Sequence, residues 1–160
     1  MANPFIRTCR IANGILFGIL TFKIYYKTLG VVIIMEMSTV RNISIGTNEN
    51  HDFYLLLGDF LDAFYIADKT TQASMVTEPP IKMLRPEFVP FLAATVHKLA
   101  IEYKLDIPSW VFEPQCYLSG TAPHFALNAK GKLRLLFMYK SPSEFKHRNL
   151  FVDENVLVRV

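Results

Sequence analysis

The residues whose types could carry acid–base or metal chemistry are four histidines, His51, His97, His124 and His147, and the carboxylate pair Asp59 and Asp62. No two histidines stand at the i, i+4 spacing that places two imidazoles on one helical face. No CxxC or HExxH accompanies them, so the spacing argues against a zinc site. Asp59 and Asp62, at i, i+3 beside Gly58 and near Tyr65, could share a proton or hold a divalent ion. They belong to a wider acidic run of Glu49, Asp52, Asp59, Asp62 and Asp68 that contains no Lys or Arg, which reads as a solvated or partner-facing helical face. A hydrolase would need Asp59, Asp62 and a histidine to converge in one pocket. His97 lies nine residues from Phe88, half a turn off the apolar stripe at 3.6 residues per turn, and is expected in solvent.

Other chemistry-bearing patterns are missing. Neither GxGxxG, GxxxxGK[ST] nor GxSxG occurs, so no phosphate loop or nucleophile elbow is expected. Cys9 and Cys116 lie far apart in unlike segments, which suggests neither a disulfide framework nor a metal knuckle and fits a reducing cytoplasm. Cys116 reads as a small buried hydrophobe. No enzymatic activity, cofactor or metal is expected.

Charge sharpens this reading. Of the net +3, residues 1–34 contribute +4 through Arg7, Arg10, Lys23 and Lys27 with no acid, so the rest of the chain stands at −1. The C-terminal third is locally basic: Lys130, Lys132, Arg134, Lys140, Lys146 and Arg148 face Glu144 alone. That cluster could meet phosphates or pair internally with the acidic helix, but its spacing matches no known nucleic-acid reading unit.

The elements that position these residues follow from periodicity. Phe53, Leu56, Leu57, Phe60, Leu61, Phe64 and Tyr65 recur at helical spacing and predict an amphipathic helix, capped by Asn48 or Asn50. A short helix is expected at Thr71–Val76, before Pro79-Pro80. A second long helix, opened by Arg85-Pro86-Glu87, carries the stripe Phe88, Phe91, Leu92, Thr95, Leu99 and Tyr103. Pro108 to Gly120, with Trp110 and Phe112, reads as an ordered loop or single helical turns over the core. A helix at Leu133–Tyr139 is expected to stop at Ser141-Pro142, with Ser141 capping a short helix through Arg148. The tail from Leu150 suggests an extended pair and a terminal turn. The fold class is therefore all-α: one helical domain at residues 50–160, a turn-rich linker at 35–49, and an N-terminal extension at 1–34. The extension's two apolar runs are interrupted by Lys23 and Lys27, at roughly 2.5–3.5 kcal/mol each against insertion, so no membrane span is favoured. The abrupt change at Met35, from a basic segment without acids to a mixed one, favours translation from Met35 or Met37, with a packed native extension and a membrane anchor as the alternatives.

Several phrases together carry a resemblance: Gly58-Asp-Phe-Leu-Asp-Ala-Phe-Tyr65, Ile107-Pro-Ser-Trp110 and the stretch from Ser141 to Leu157. Residues 50–160 resemble an uncharacterised family of small bacterial proteins, common in Gram-positive genomes, that ends in an SPxEFxxRNxFVxxNxLxR pattern. Its members sometimes follow a helix-turn-helix module and are associated with a nucleotidyltransferase-like gene. The resemblance implies a regulatory, antitoxin-like partner of a toxin-type enzyme. The expected function is a cytoplasmic protein-interaction domain, and the alternative is a basic-patch nucleic-acid binder. The expected interaction or orienting residues are Asp59, Asp62, Tyr65, Trp110, Glu144, Phe145, Arg148, Asn149 and Asn155, with the Ser141–Asn155 segment and the acidic helix forming the surface.

Overall fold

A computed structural model describes residues 23–28, 31–36, 38–120 and 122–159. The chain divides into two units, residues 1–37 and 38–160. In the first, strands β1 (Lys23–Thr28) and β2 (Val31–Glu36) pair antiparallel, with Lys23 opposite Glu36 and Thr28 opposite Val31. The sequence reading contained no sheet here, yet β-branched and aromatic residues dominate both strands and suit a pleated backbone. The start-site reading concerns residues 1–34, of which 1–22, 29 and 30 lie outside the described residues. No described helix is long and apolar enough to cross a membrane.

The second unit is helical, as the fold class predicts, but it begins earlier. The expected linker holds helix α1 (Val40–Asn48), which buries Val40, Ile43 and Ser44. Thr39 Oγ1 accepts the Asn42 amide at 3.1 Å and caps it. Turn-forming composition misled because the polar residues are satisfied inside the fold: Ser44 Oγ donates to Arg41 O at 2.6 Å and accepts from Ile81 N at 2.9 Å. Burial of Val40 and Ile43 then outweighs weak helix propensity.

Helix α2 (Phe53–Ile66) is capped by Asp52, not by Asn48 or Asn50, with Oδ1 accepting from Leu55 N at 2.9 Å. Asp68 caps α3 (Lys69–Thr77) in the same way, through Thr71 N at 2.8 Å. Helix α4 (Phe88–Tyr103) is the centre of the core. Besides Phe88, Phe91, Leu92, Thr95 and Leu99 of the expected stripe it buries Ala93, Ala94, Val96 and Ala100, because a helix enclosed by neighbours needs small or apolar residues on nearly every face, while Tyr103 is half-buried.

The Pro- and aromatic-rich stretch forms two 3-10 turns, Ser109–Phe112 and Pro114–Cys116, packed on α4 as expected. Two-residue strands β3 (His124–Phe125) and β4 (Leu150–Phe151) pair in parallel, stacking Phe125 on Phe151 at 4.9 Å. Between them lie α5 (Gly131–Lys140) and the single turn α6 (Ser143–Lys146). Ser141 does not cap α6. Its hydroxyl instead donates to Val152 O and accepts from Val152 N, both at 2.6 Å, closing the segment over the core.

Candidate interaction surface

Of the residues expected to interact or to orient the C-terminal turn, Arg148 and Asn149 do hydrogen-bond and orient that turn, and most of the others are structural as well. Arg148 is 1% exposed. Its Nη1 donates to Glu144 O at 2.8 Å and its Nη2 to Val111 O at 3.0 Å, tying the turn after α6 to the first 3-10 turn. The guanidinium also lies over the Tyr117 ring, 5.1 Å from its centroid. Burial pushes the Arg148 pKa down, but a guanidinium stays charged in proteins, so both carbonyls receive charged donors while Nε is left buried without a partner. Phe145 is fully buried and meets Phe91 edge-on. Trp110 is buried and donates from Nε1 to Val76 O at 3.1 Å.

Asn149 takes a left-handed backbone (φ 61) in which its carbonyl accepts from His124 N at 3.0 Å and starts the β3–β4 ladder. Glu144 contributes its backbone oxygen to Arg148, and exposed Asn155 closes a local turn through Asp153 Oδ1 at 2.9 Å. The Ser141–Asn155 segment is thus a clasp with its key side chains inside, not the surface expected of it.

The acidic helix is similarly occupied. Asp52 and Asp68 are caps. Asp62 receives a two-pronged bond from Arg159, Nε to Oδ1 at 2.9 Å and Nη2 to Oδ2 at 3.0 Å. That hydrogen bond holds the Asp62 pKa below its ordinary value. Gly58 makes room for it: a Cβ there would sit 3.0 Å from Arg159 Nη2. Tyr65 donates to Leu157 O at 2.6 Å, and burial raises its hydroxyl to about 12. Asp62 and Tyr65 therefore orient the C-terminal residues, and of the pair only Asp59 remains simply exposed.

Nor do the acids meet a histidine. His97, expected in solvent, is half-buried, edge-on to Phe112 and 3.4 Å from Arg148 Nη1. Burial first, and the Arg148 charge second, lower its pKa. Cys116 is buried with Sγ 3.2 Å from Trp110 O, and burial raises its thiol to about 11, far from a thiolate nucleophile. Among the described residues no three His, Cys, Asp or Glu side chains gather as a metal set.

The basic patch is partly engaged within the fold, while Lys130 and Lys132 stay exposed. Arg148 is internal, Arg134 lies 4.3 Å over the Phe125 ring, Lys140 pairs with Glu154 at 2.6 Å, and Lys146 donates to Tyr139 O at 2.8 Å. What the structure presents instead is α5. Of its residues Phe137 alone is buried, at 2% exposure, while Leu133, Leu135, Leu136, Met138 and Tyr139 are all exposed, Leu135 at 67% and Tyr139 at 84%. Phe137 anchors the helix, which packs against β4. Lys132, Leu135, Leu136 and Tyr139 stand at i, i+3, i+4 and i+7, so 3.6 residues per turn gathers them on the face opposite Phe137.

Leu135, Leu136 and Tyr139 thus leave apolar surface in water, which is a cost in free energy relative to burying it. The sequence reading placed the helix but not its exposure. The available signal was that apolar residues surround α5 on every side, so a surface helix could bury only a fraction of them. No family profile, curated protein or solved structure matches the chain.

Proposed function

We propose that the chain is a non-catalytic, cytoplasmic protein-interaction or regulatory domain, the antitoxin-like member of a two-gene module, which docks through α5. The observation that carries this reading is the outward face of α5, where Leu135 and Tyr139 stand in water while Phe137 alone holds the helix down. Apolar residues gathered on one face of a helix, here Leu135, Leu136 and Tyr139, are the form in which a helix enters a hydrophobic groove. The partner suggested by the resemblance is a nucleotidyltransferase-like protein.

Burial of Arg148 and pairing of Lys140 with Glu154 reduce the cations left for phosphates, which weakens the nucleic-acid alternative, since affinity scales with their number. Affinity purification of the tagged full chain from its native host provides the test. A stoichiometric protein partner is expected with the wild type and should be lost with Leu135→Asp. Salt-sensitive retention on DNA without a protein partner would overturn the reading.

A further inference from the structure

We propose that Gly58, Asp62 and Tyr65 on α2 form a recognition site for a peptide that carries an aliphatic residue two positions before an arginine. The chain's own Leu157 and Arg159 fill this site until a partner presents the same pattern. The site lies on α2 and does not depend on the reading of α5. Three separate contacts build it. Tyr65 donates to Leu157 O at 2.6 Å and so fixes the backbone of the seated segment, while the Leu157 side chain is buried. Asp62 takes both prongs of the Arg159 guanidinium, at 2.9 and 3.0 Å. A Cβ at Gly58 would stand 3.0 to 3.1 Å from Arg159 Nη2, Cζ and Nη1. Near-equal distances to those three atoms put that position over the face of the guanidinium plane, so the arginine lies flat against the helix where the glycine leaves room.

Stability does not account for this arrangement. A glycine inside a helix costs at least as much as an exposed ion pair commonly returns, and the Arg159 and Asp62 side chains remain 44% and 55% exposed. What the geometry delivers is discrimination, because a flat, forked cation fits the notch and the carboxylate together and an ammonium does not. The Asp62 bond above all, and the Asp59 charge in addition, raise the Arg159 pKa, so this stretch of α2 favours a cationic guest. The guest's chemistry is read from the segment already seated. That segment is held by one half-buried hydrogen bond, one exposed ion pair and the burial of Leu157. It can leave without opening the clasp, whose ties at Arg148 and between Ser141 and Val152 lie upstream. As a tethered competitor it acts at about millimolar effective concentration, so the site answers only to a partner that binds more tightly or is held close.

Fluorescence anisotropy on the full chain tests this, with an amidated, N-terminally labelled peptide of residues 153–160 as the probe. The wild type, filled by its own segment, should bind it weakly. Leu157→Ser/Arg159→Ala removes both anchors of that segment and should bind the peptide at least about tenfold more tightly. Arg159→Ala alone, altered only at an exposed side chain and therefore folded, should fall between the two. In the double variant, adding Asp62→Asn should cost at least about threefold in affinity, and so should replacing the peptide's arginine with lysine. Gly58→Ala in the same background should also weaken binding while its thermal midpoint does not fall, because alanine is the better helix former. A purely structural glycine would show the reverse. Release variants that bind the peptide no more tightly than the wild type, an Asp62→Asn chain that binds it equally well, or equal affinity for the lysine peptide would overturn the inference.

Discussion

Arg148 and Val111 are joined by a 3.0 Å hydrogen bond from a guanidinium that is 1% exposed to a backbone carbonyl 37 residues earlier. Together with the bond to Glu144 O at 2.8 Å, this makes one side chain the tie between the C-terminal clasp and the 3-10 turns on α4. Hydrogen bonds from charged donors contribute roughly 1.5–3 kcal/mol each, so Arg148→Ala should cost about 3–5 kcal/mol in urea denaturation. Arg148→Lys should recover only part, because an ammonium lacks the fork that reaches both carbonyls. A cost below about 1 kcal/mol for Arg148→Ala would refute the assignment.

Ser141 and Val152 exchange two hydrogen bonds through one hydroxyl. Ser141→Ala leaves a buried amide and a buried carbonyl unmatched, for an expected loss of about 2–3 kcal/mol. Ser141→Thr keeps the hydroxyl and should lose less, measured by the same denaturation midpoints. Equal losses for the two variants would show that the hydroxyl is not the cause.

The C-terminal residues are held to α2 by one half-buried hydrogen bond and one exposed ion pair. Tyr65→Phe should cost about 1 kcal/mol, and Arg159→Ala less than Tyr65→Phe, because water screens the exposed pair. Trypsin should cut after Arg148 no faster in either variant, since that residue is inside the fold.

His97 links stability to pH. Its folded pKa lies below the ordinary histidine value because of burial and the nearby Arg148 charge, reinforced by His147 and opposed by Glu144. The unfolded chain therefore binds the proton more readily, and folding stability rises with pH across the window. As pH falls from about 7 through the unfolded value near 6.5, the wild type should lose stability that His97→Asn does not lose. Parallel slopes for the two proteins in urea melts at pH 7 and 5.5 would contradict this.

Much of the helical plan was legible. Phe53 to Tyr65 and Phe88 to Tyr103 announced α2 and α4 because apolar residues at 3.6 spacing leave little choice of backbone. Helix α1 was not legible, since Thr39, Ser44 and Asn48 resemble turn formers until Ile81 and Lys82 arrive to bond Ser44 and Asn48. Arg148 and Asn149 stood out, but their direction did not: charge in a sequence suggests the surface, and only tertiary packing can turn a guanidinium inward onto two carbonyls. The helix at Leu133–Tyr139 was legible too, but not its exposure, because apolar residues on every side of α5 do not say which one packs, and Phe137 alone is buried.

The central claim is that the outward face of α5 is where this protein meets others. Amide hydrogen exchange, comparing the free chain with the complex isolated by affinity purification, addresses it most directly. Residues 131–140 should exchange more slowly in the complex, with the 141–155 clasp and α2 unchanged. Protection confined to the clasp or to α2, with α5 exchanging as in the free chain, would contradict the account.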